Sequence, residues 1–415
     1  MSRINDLIKE LCPNGVEHKQ LNEIADTFIG LATSVTKHKT SDGVILLHNS
    51  DIKQNKIVLK TIEFIDKGFA DKNVNKYYQY HDIATVHTGD VGTSAVIEEE
   101  YVGSMGFTTL VTRIYDFNYI NPYFLCHYFN SKLFKNDVAR VTISDRSNLN
   151  QKEFCQLLIP IPPLEVQNEI VRILDKFGEL EAELEAELEA RKSQYEFWRG
   201  KVFDIKGETK TYKLEEVLQS LKTGLNPRKF FRLNTEDADG HYVTVREIGD
   251  RNVRYWESKD RVNKEGLLRI NERANLEIGD VLFSGTGTIG RVSLIEETPD
   301  NWNVKEGVYI LKPKKEIINP VYLMHLMRSD YMKKLYSDYI VGSPVSSVPM
   351  RDLKNVEFEL PDLETQERIS NILDKFDKLV NDITVGLPAE IQLRRKQYEY
   401  YKNKLLSFEE LSVSE

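Results

Sequence analysis

The stretches "VRILDKFGEL" (Val171 to Leu180) and "SNILDKFDKL" (Ser370 to Leu379) share the five letters Ile-Leu-Asp-Lys-Phe. Their offset, 372 − 173 = 199, is close to half of the 415 residues. Further matches lie at 198 or 199. "HDIATVHTGDVGTSAVIEEE" aligns with "IGDVLFSGTGTIGRVSLIEE", pairing Asp82 with Asp280, Gly89 with Gly287 and Gly92 with Gly290. "INPYFLCHYF" aligns with "INPVYLMHLM", and "IPPLEVQNEI" with "LPDLETQERI", pairing Gln167 with Gln366. "QYEFW" is answered by "QYEYY" at 397 − 194 = 203. One pentapeptide carries little weight, but five collinear matches amount to a duplication.

Each half follows one plan. Short alternating runs such as "KIVLKTIEFI" and "HYVTVREI", broken by glycine turns, read as strands. Asn121-Pro122 and Asn319-Pro320 open helices, with Asn as cap and Pro at the first helical position. Pro160, Pro162 and Pro163, or Pro361 in the second copy, close the globular region, and a long amphipathic helix follows.

Both helices carry an apolar seam at heptad-like spacing. The first runs Phe177, Leu180, Leu184, Leu188, Tyr195, Trp198 and Val202, with Arg191 filling one step. The second runs Phe376, Leu379, Ile383, Leu387, Ile391, Arg394, Tyr398, Tyr401 and Leu405. It is longer by one step of four, about one turn, which keeps the face and explains the change of offset from 199 to 203. Gly386 and Pro388 are expected to kink or break the second helix. Two such stripes bury each other, antiparallel if a pseudo-twofold axis relates the halves.

With 40% hydrophobic and 29% charged residues, the composition is that of a soluble globular protein. No apolar run reaches the ~18–20 residues of a membrane span, and "MSRINDLIKELCPNG" lacks a secretory pattern. Cys12, Cys126 and Cys155 form no disulfide framework, so a cytoplasmic setting is expected. The net charge of −9 does not exclude nucleic acid, because "GELEAELEAELEA" concentrates acid in the central helix.

Motifs suggesting chemistry have plainer readings. "SGTGTIGR" (Ser284 to Arg291) lacks the Lys-Ser/Thr of a phosphate loop and reads as a tight turn, whose amides could still approach DNA phosphate. "NPYF" (Asn121 to Phe124) lacks the second proline of the adenine-methyltransferase motif and reads as a helix start. Cys126-His127 has no further ligand at metal spacing. No metal site and no catalytic residue is assigned. Basic and hydroxyl-rich stretches recur in both halves and supply the residue types that reach phosphates and base edges. Candidates for DNA contact are Lys37, Lys39, His48, Thr88, Arg140, Arg146 and Asn148 in the first half. In the second they are Arg228, Lys229, Arg232, Arg246, Arg251, Thr286, Arg291, Ser346 and Ser347.

On "PIPPLEVQNEIVRILDKF", "RKSQYEFWRGKVF" and their second copies, the chain resembles the specificity subunit of type I restriction–modification systems over its whole length. The "ELEAELEAELEA" run is similar to the short tandem repeat often found in that family's central spacer. The resemblance implies an α+β protein with two pseudo-symmetric α/β target recognition domains separated by two long helices in an antiparallel coiled coil. Residues 1–163 would be the first recognition domain, 164–203 the central spacer helix, 204–361 the second domain, 362–410 the C-terminal spacer helix and 411–415 a tail. It further implies a non-catalytic reader of an asymmetric, bipartite double-stranded DNA target, one half-site per domain. Partners would be two modification (methyltransferase) subunits and restriction (translocase-nuclease) subunits. Those partners would use S-adenosylmethionine, ATP and Mg, with no cofactor bound by this chain and no membrane involved. A helix over residues 177–202 would be about 38 Å long, comparable with the ~34 Å of one DNA turn. The competing reading is a helical scaffold or dimerisation protein without a DNA role, against which the recurring basic loops count.

Overall fold

The structure, a computed structural model, describes residues 2–32, 34–142, 148–203, 208–249, 251–342, 344–381 and 385–411. The chain forms two compact units, Met1–Glu185 with Ile391–Glu415, and Ala186–Glu390.

The first globular region contains strands β1 (Ala25–Ile29), β2 (Val44–His48), β3 (Ile83–Val86), β4 (Ser94–Val96), β5 (Met105–Phe107) and β6 (Thr109–Ile114). Helices α1 (Pro122–Phe129) and α2 (Lys132–Val141) follow, and then the long helix α3 (Leu164–Lys201). Strands β1, β6, β3 and β4 make an antiparallel sheet in that order, with Val111 opposite Phe28 on one side and Ala84 on the other. Strands β2 and β5 pair in parallel, Leu46 opposite Met105.

The second globular region contains β7 (Leu218–Thr223), α4 (Pro227–Phe230), β8 (Gly240–Val243), α5 (Lys264–Arg273), β9 (Val281–Ser284), β10 (Val292–Leu294), β11 (Trp302–Val304), β12 (Val308–Pro313), α6 (Pro320–Arg328) and α7 (Asp330–Ser337). Its sheet order, β7, β12, β9, β10, repeats the first, and β8 pairs in parallel with β11. The duplication read from the sequence is thus a duplication of topology.

Helices α1 and α6 start as expected. The Asn121 side chain accepts from the Tyr123 and Phe124 amides, and Asn319 from those of Val321 and Tyr322. Apolar residues nearly all round make each helix internal. Phe124, Leu125 and Phe129 are fully buried in one unit, and Tyr322, Leu323 and Leu326 in the other.

Two polar locks, each present in both units, fasten these helices to the long ones. The fully buried Gln167 accepts the Asn121 amide at 2.8 Å and donates to the carbonyls of Tyr119 and Pro162 at 3.0 and 2.8 Å. Gln366 does the same with Asn319, Ile317 and Pro361 at 2.9, 3.1 and 2.8 Å. In the second lock, His127 Nε2 meets Asp175 at 2.8 Å and His325 Nε2 meets Asp374 at 2.7 Å. The aspartate of each Ile-Leu-Asp-Lys-Phe copy therefore holds the histidine of its own unit. The leucines, Leu174 and Leu373, are fully buried.

The phenylalanines of the two copies face the other long helix. In the first unit Phe177 packs on Tyr398 and Tyr401, while Arg395, earlier in its helix, pairs with Glu181 and Glu185, later in α3. The helices there are antiparallel. In the second unit Tyr195 stacks on Phe376 at 6.5 Å and its hydroxyl donates to Asp377 at 3.1 Å. Val202 and Phe203 join a core with Ile369 and Leu373, so the direction is again antiparallel. Tyrosines of the two "QYE" copies thus meet phenylalanines of the two "ILDKF" copies.

The second long helix is two helices, α8 (Leu363–Asn381) and α9 (Leu387–Leu405), not one over 362–410. The segment Gly386-Leu387-Pro388 explains the restart, since proline suits a first helical turn and lacks the amide an uninterrupted helix needs.

The seam also differs at two positions. Trp198 is 46% exposed and Leu379 37% exposed. Arg199, whose guanidinium lies over the Tyr195 ring, and the buried Val380 take those places. Both are shifts of one residue, the drift of a 3.6-residue helix against a 3.5-residue repeat. Tyr195, Leu387 and Ile391 are buried, while Phe177, Leu180, Leu184, Leu188, Phe376, Tyr398 and Tyr401 are half-buried. Ile383 lies outside the described residues.

Candidate nucleic-acid interface

Each globular region carries a glycine turn at one end of its sheet. In the first, β3 runs into His87-Thr88-Gly89-Asp90-Val91-Gly92 and returns as β4. Gly89 and Gly92 have φ of +101° and +83°, a region open to glycine, and the Gly92 amide donates to the Val86 carbonyl at 3.0 Å. The turn is zipped to the segment after α2. Thr88 and Asn148 form a β-bridge, the Thr88 hydroxyl donates to Asn148 Oδ1 at 3.1 Å, and the Leu149 amide donates to the His87 carbonyl at 3.1 Å.

Next to it lies the end of β2. Asn49 Oδ1 accepts the His87 amide at 3.4 Å, and Asn49 Nδ2 reaches Thr108 at 3.5 Å. Thr108 has φ +52°, which costs a β-branched residue about 1–2 kcal/mol. His48 Nε2 and Lys39 Nζ converge on Glu63 Oε2 at 2.9 and 2.6 Å. The bonds from Lys39 and His48 hold the Glu63 carboxyl below its ordinary range, and burial lowers the His87 imidazole, favouring its neutral form. The rim thus presents half-exposed amide, imidazole and hydroxyl groups, able to donate to and accept from base edges.

The second region builds the same rim from other side chains. β9 runs into Gly285-Thr286-Gly287-Thr288-Ile289-Gly290. The Gly290 amide donates to the Ser284 carbonyl at 3.0 Å, in the register seen at Gly92. Thr286 bridges to Ser347, and the Gly287 amide donates to the Ser346 carbonyl at 2.8 Å. The turn joins two antiparallel strands, whereas a phosphate loop opens a helix. Beside it, after β8, the Thr244 amide donates to Glu247 at 2.7 Å, as the His48 amide donates to Asp51 at 2.8 Å.

The structure therefore brings Lys39, His48, Thr88 and Asn148 to one rim, and Thr286, Ser346 and Ser347 to the other. Arg246 is 63% exposed and touches Thr244 and Asp260 at 3.3 and 3.5 Å. Lys37 lies in an exposed 3-10 turn, and Arg228, Lys229 and Arg232 are exposed. Arg140, 79% exposed, pairs with Asp137 one turn earlier, and Arg146 lies outside the described residues.

Two candidates are structural instead. Arg251, only 17% exposed, is clasped by Glu296 at 2.7 Å and by Asp374. Burial opposes its charge, but the two carboxylates hold its pKa above the usual value. Arg291 caps the Val245 and Ile248 carbonyls at 3.1 and 3.3 Å and so fixes the turn that carries Arg246. Neither commitment is visible in sequence, because every partner is remote. Asn49, His87, Thr108 and Thr244 were missed, and only the adjacency of Asn49 to His48 and of His87 to Thr88 could have flagged them.

The family model for the type I restriction modification DNA specificity domain matches this chain twice, over residues 13–190 and 206–393. The chain belongs to the type I restriction–modification specificity subunits. A putative type I restriction enzyme specificity subunit of Haemophilus influenzae is 31% identical over 301 residues, covering 70% of this chain and 73% of that protein. A type I restriction enzyme specificity subunit of Escherichia coli is 31% identical over 275 residues, 63% of this chain and 65% of that one. Among solved structures, one from a study of complex assembly in the type I restriction–modification system has a TM-score of 0.65 at 17% identity and covers 95% of this chain and 98% of that one. The HsdS subunit of Thermoanaerobacter tengcongensis has a TM-score of 0.56 at 18% identity and covers 95% and 96%. As a specificity subunit with two DNA specificity domains, the chain is a DNA-recognition scaffold that works with other subunits, and catalysis is theirs. Among the described residues no helix is long and apolar enough to cross a membrane.

Proposed function

We propose that each globular domain reads one half of an asymmetric, bipartite duplex target through its rim, with a non-specific gap between the halves. The observation that carries this is the repeated rim. The turn, its zipper and the locks beneath it recur in both domains, and so does one threonine, Thr88 or Thr286, while the other side chains presented differ: Asn49, His87 and Asn148 against Arg246, Ser346 and Ser347. Equal scaffolds with unequal reading groups select unequal sequences. The duplication supports two equivalent docking places, hence two modification subunits, with restriction subunits joining them. S-adenosylmethionine, ATP and Mg are then the partners' cofactors and the cytoplasm the working compartment. The test is to replace residues 204–358 by another specificity subunit's recognition domain and map the methylated adenines. One half-site should change; a change in both halves sinks the reading.

A further inference from the structure

The short helix α4 and the residue just beyond it carry three cations, Arg228, Lys229 and Arg232, all exposed and without a partner among the described residues. Phe230, 44% exposed, stands among them. The segment is held from below. The Asn226 side chain accepts the Arg228 amide at 3.1 Å, and Pro227 fixes the first turn. Phe231 meets the Tyr242 ring edge-on at 5.8 Å, and a Cβ added at Gly266 would lie 3.2 Å from the Phe231 ring. Arg269 donates to the Phe230 carbonyl at 3.0 Å. Backbone and anchor are fixed while the cations stay in solvent.

The segment leaves the sheet at the end that bears the glycine turn. The Thr223 hydroxyl, at the end of β7, donates to the Val308 carbonyl at 2.8 Å and accepts the Gly307 amide at 3.0 Å. The Gly285 amide in turn donates to the Gly307 carbonyl at 2.9 Å. Among the described residues no ion pair joins these cations to the carboxylates that follow, and Asp237 accepts from Asn263, the cap of α5, at 3.0 Å.

At the corresponding place, after β1, the described residues of the first domain hold no such cluster. After β1 its chain makes the turn Thr36–His38, where His38 stacks on Phe69 at 3.8 Å and Lys37 is the one unpartnered cation among the described residues of that turn. Lys39 is already paired with Glu63.

We infer that α4 and Arg232 form a phosphate-gripping limb of the second domain, with no counterpart among the described residues of the turn after β1 in the first. This rests on the reading that both domains contact duplex DNA. The limb grips backbone irrespective of sequence, while the rim beside it reads bases.

The test uses the full chain assembled with its modification subunits and a labelled duplex of arbitrary sequence, with affinity followed by anisotropy over a salt series. Each phosphate neutralised contributes about 0.9 to the slope of log K against log salt, so R228A/K229A/R232A should reduce the slope by about 2–3 and K37A by about 1. The charge-keeping variant R228K/R232K should retain the slope, which separates charge from damage to the fold. An unaltered slope in the triple variant, or an equal loss in K37A, overturns the inference alone. Failure of the unaltered complex to bind duplex in a salt-dependent way overturns the DNA reading and the inference with it.

Discussion

Replacing Gln366 by alanine tests the lock most directly. The side chain is 1% exposed and makes three hydrogen bonds, accepting from Asn319 and donating to Ile317 and Pro361. Each is worth about 1 kcal/mol net, and truncation leaves three buried backbone groups without partners, so the loss should be about 3 kcal/mol. Gln366→Glu should cost at least as much near neutral pH. A carboxylate offers no N–H to the two carbonyls and must be buried charged, so its penalty should shrink in acid as the group protonates. All three tryptophans, Trp198, Trp256 and Trp302, lie in the second unit, and their fluorescence therefore follows that unit in urea. At an m-value of about 2 kcal/mol per molar, the midpoint should fall by about 1–1.5 M. Gln167→Ala should cost the first unit a similar amount, read by hydrogen exchange of the α1 amides. A loss below about 1 kcal/mol in either variant would show that water replaces the side chain and that the lock does not hold the domain.

Three further outcomes are expected. Burial lowers the pKa of the fully buried His325. The unfolded chain then takes up a proton near pH 6.5 that the folded chain refuses, so second-unit stability should be full above about pH 6.5 and fall below it. His325→Gln should flatten that slope, and an unchanged pH profile would refute the assignment. Tyr195→Ala, at a 2% exposed seam position, should destabilise the second unit by about 3 kcal/mol, whereas Trp198→Ala, 46% exposed, should cost under about 1 kcal/mol in denaturant titrations. Asn148→Ala should weaken discrimination at one base pair of one half-site by about 1–3 kcal/mol in competition binding, leaving the other half untouched.

Much of the fold was legible because duplication prints the same physical constraints twice. The repeated Asn-Pro starts, glutamines and seam residues are local devices whose spacing reveals their purpose. The histidine–aspartate lock was not read, although His127 and His325 occupy matching places in the two repeated helices and Asp175 and Asp374 sit inside the repeated pentapeptide. Each pair spans about fifty residues, and sequence shows that two positions recur without showing that they touch. The rims were half legible for the same reason. Residue type marked Thr88, Asn148 and Thr286, but only the folded chain separates exposed cations such as Arg228 from Arg251 and Arg291, which are spent on internal partners.

The first unit draws on both early and late chain. Ile391–Glu415 belongs to it, the Leu411 amide donates to the Val16 carbonyl at 2.9 Å, and Leu405 and Leu406 enter its core. On the ribosome, the domain begun first is therefore the one finished last. The intervening unit, Ala186–Glu390, has all its segments before the first can close. A stop codon after residue 390 should then injure the distant early domain while sparing its neighbour. Pulse proteolysis of such a truncated chain would show this as rapid cleavage within the early domain, and uniform resistance would show that it closes unaided.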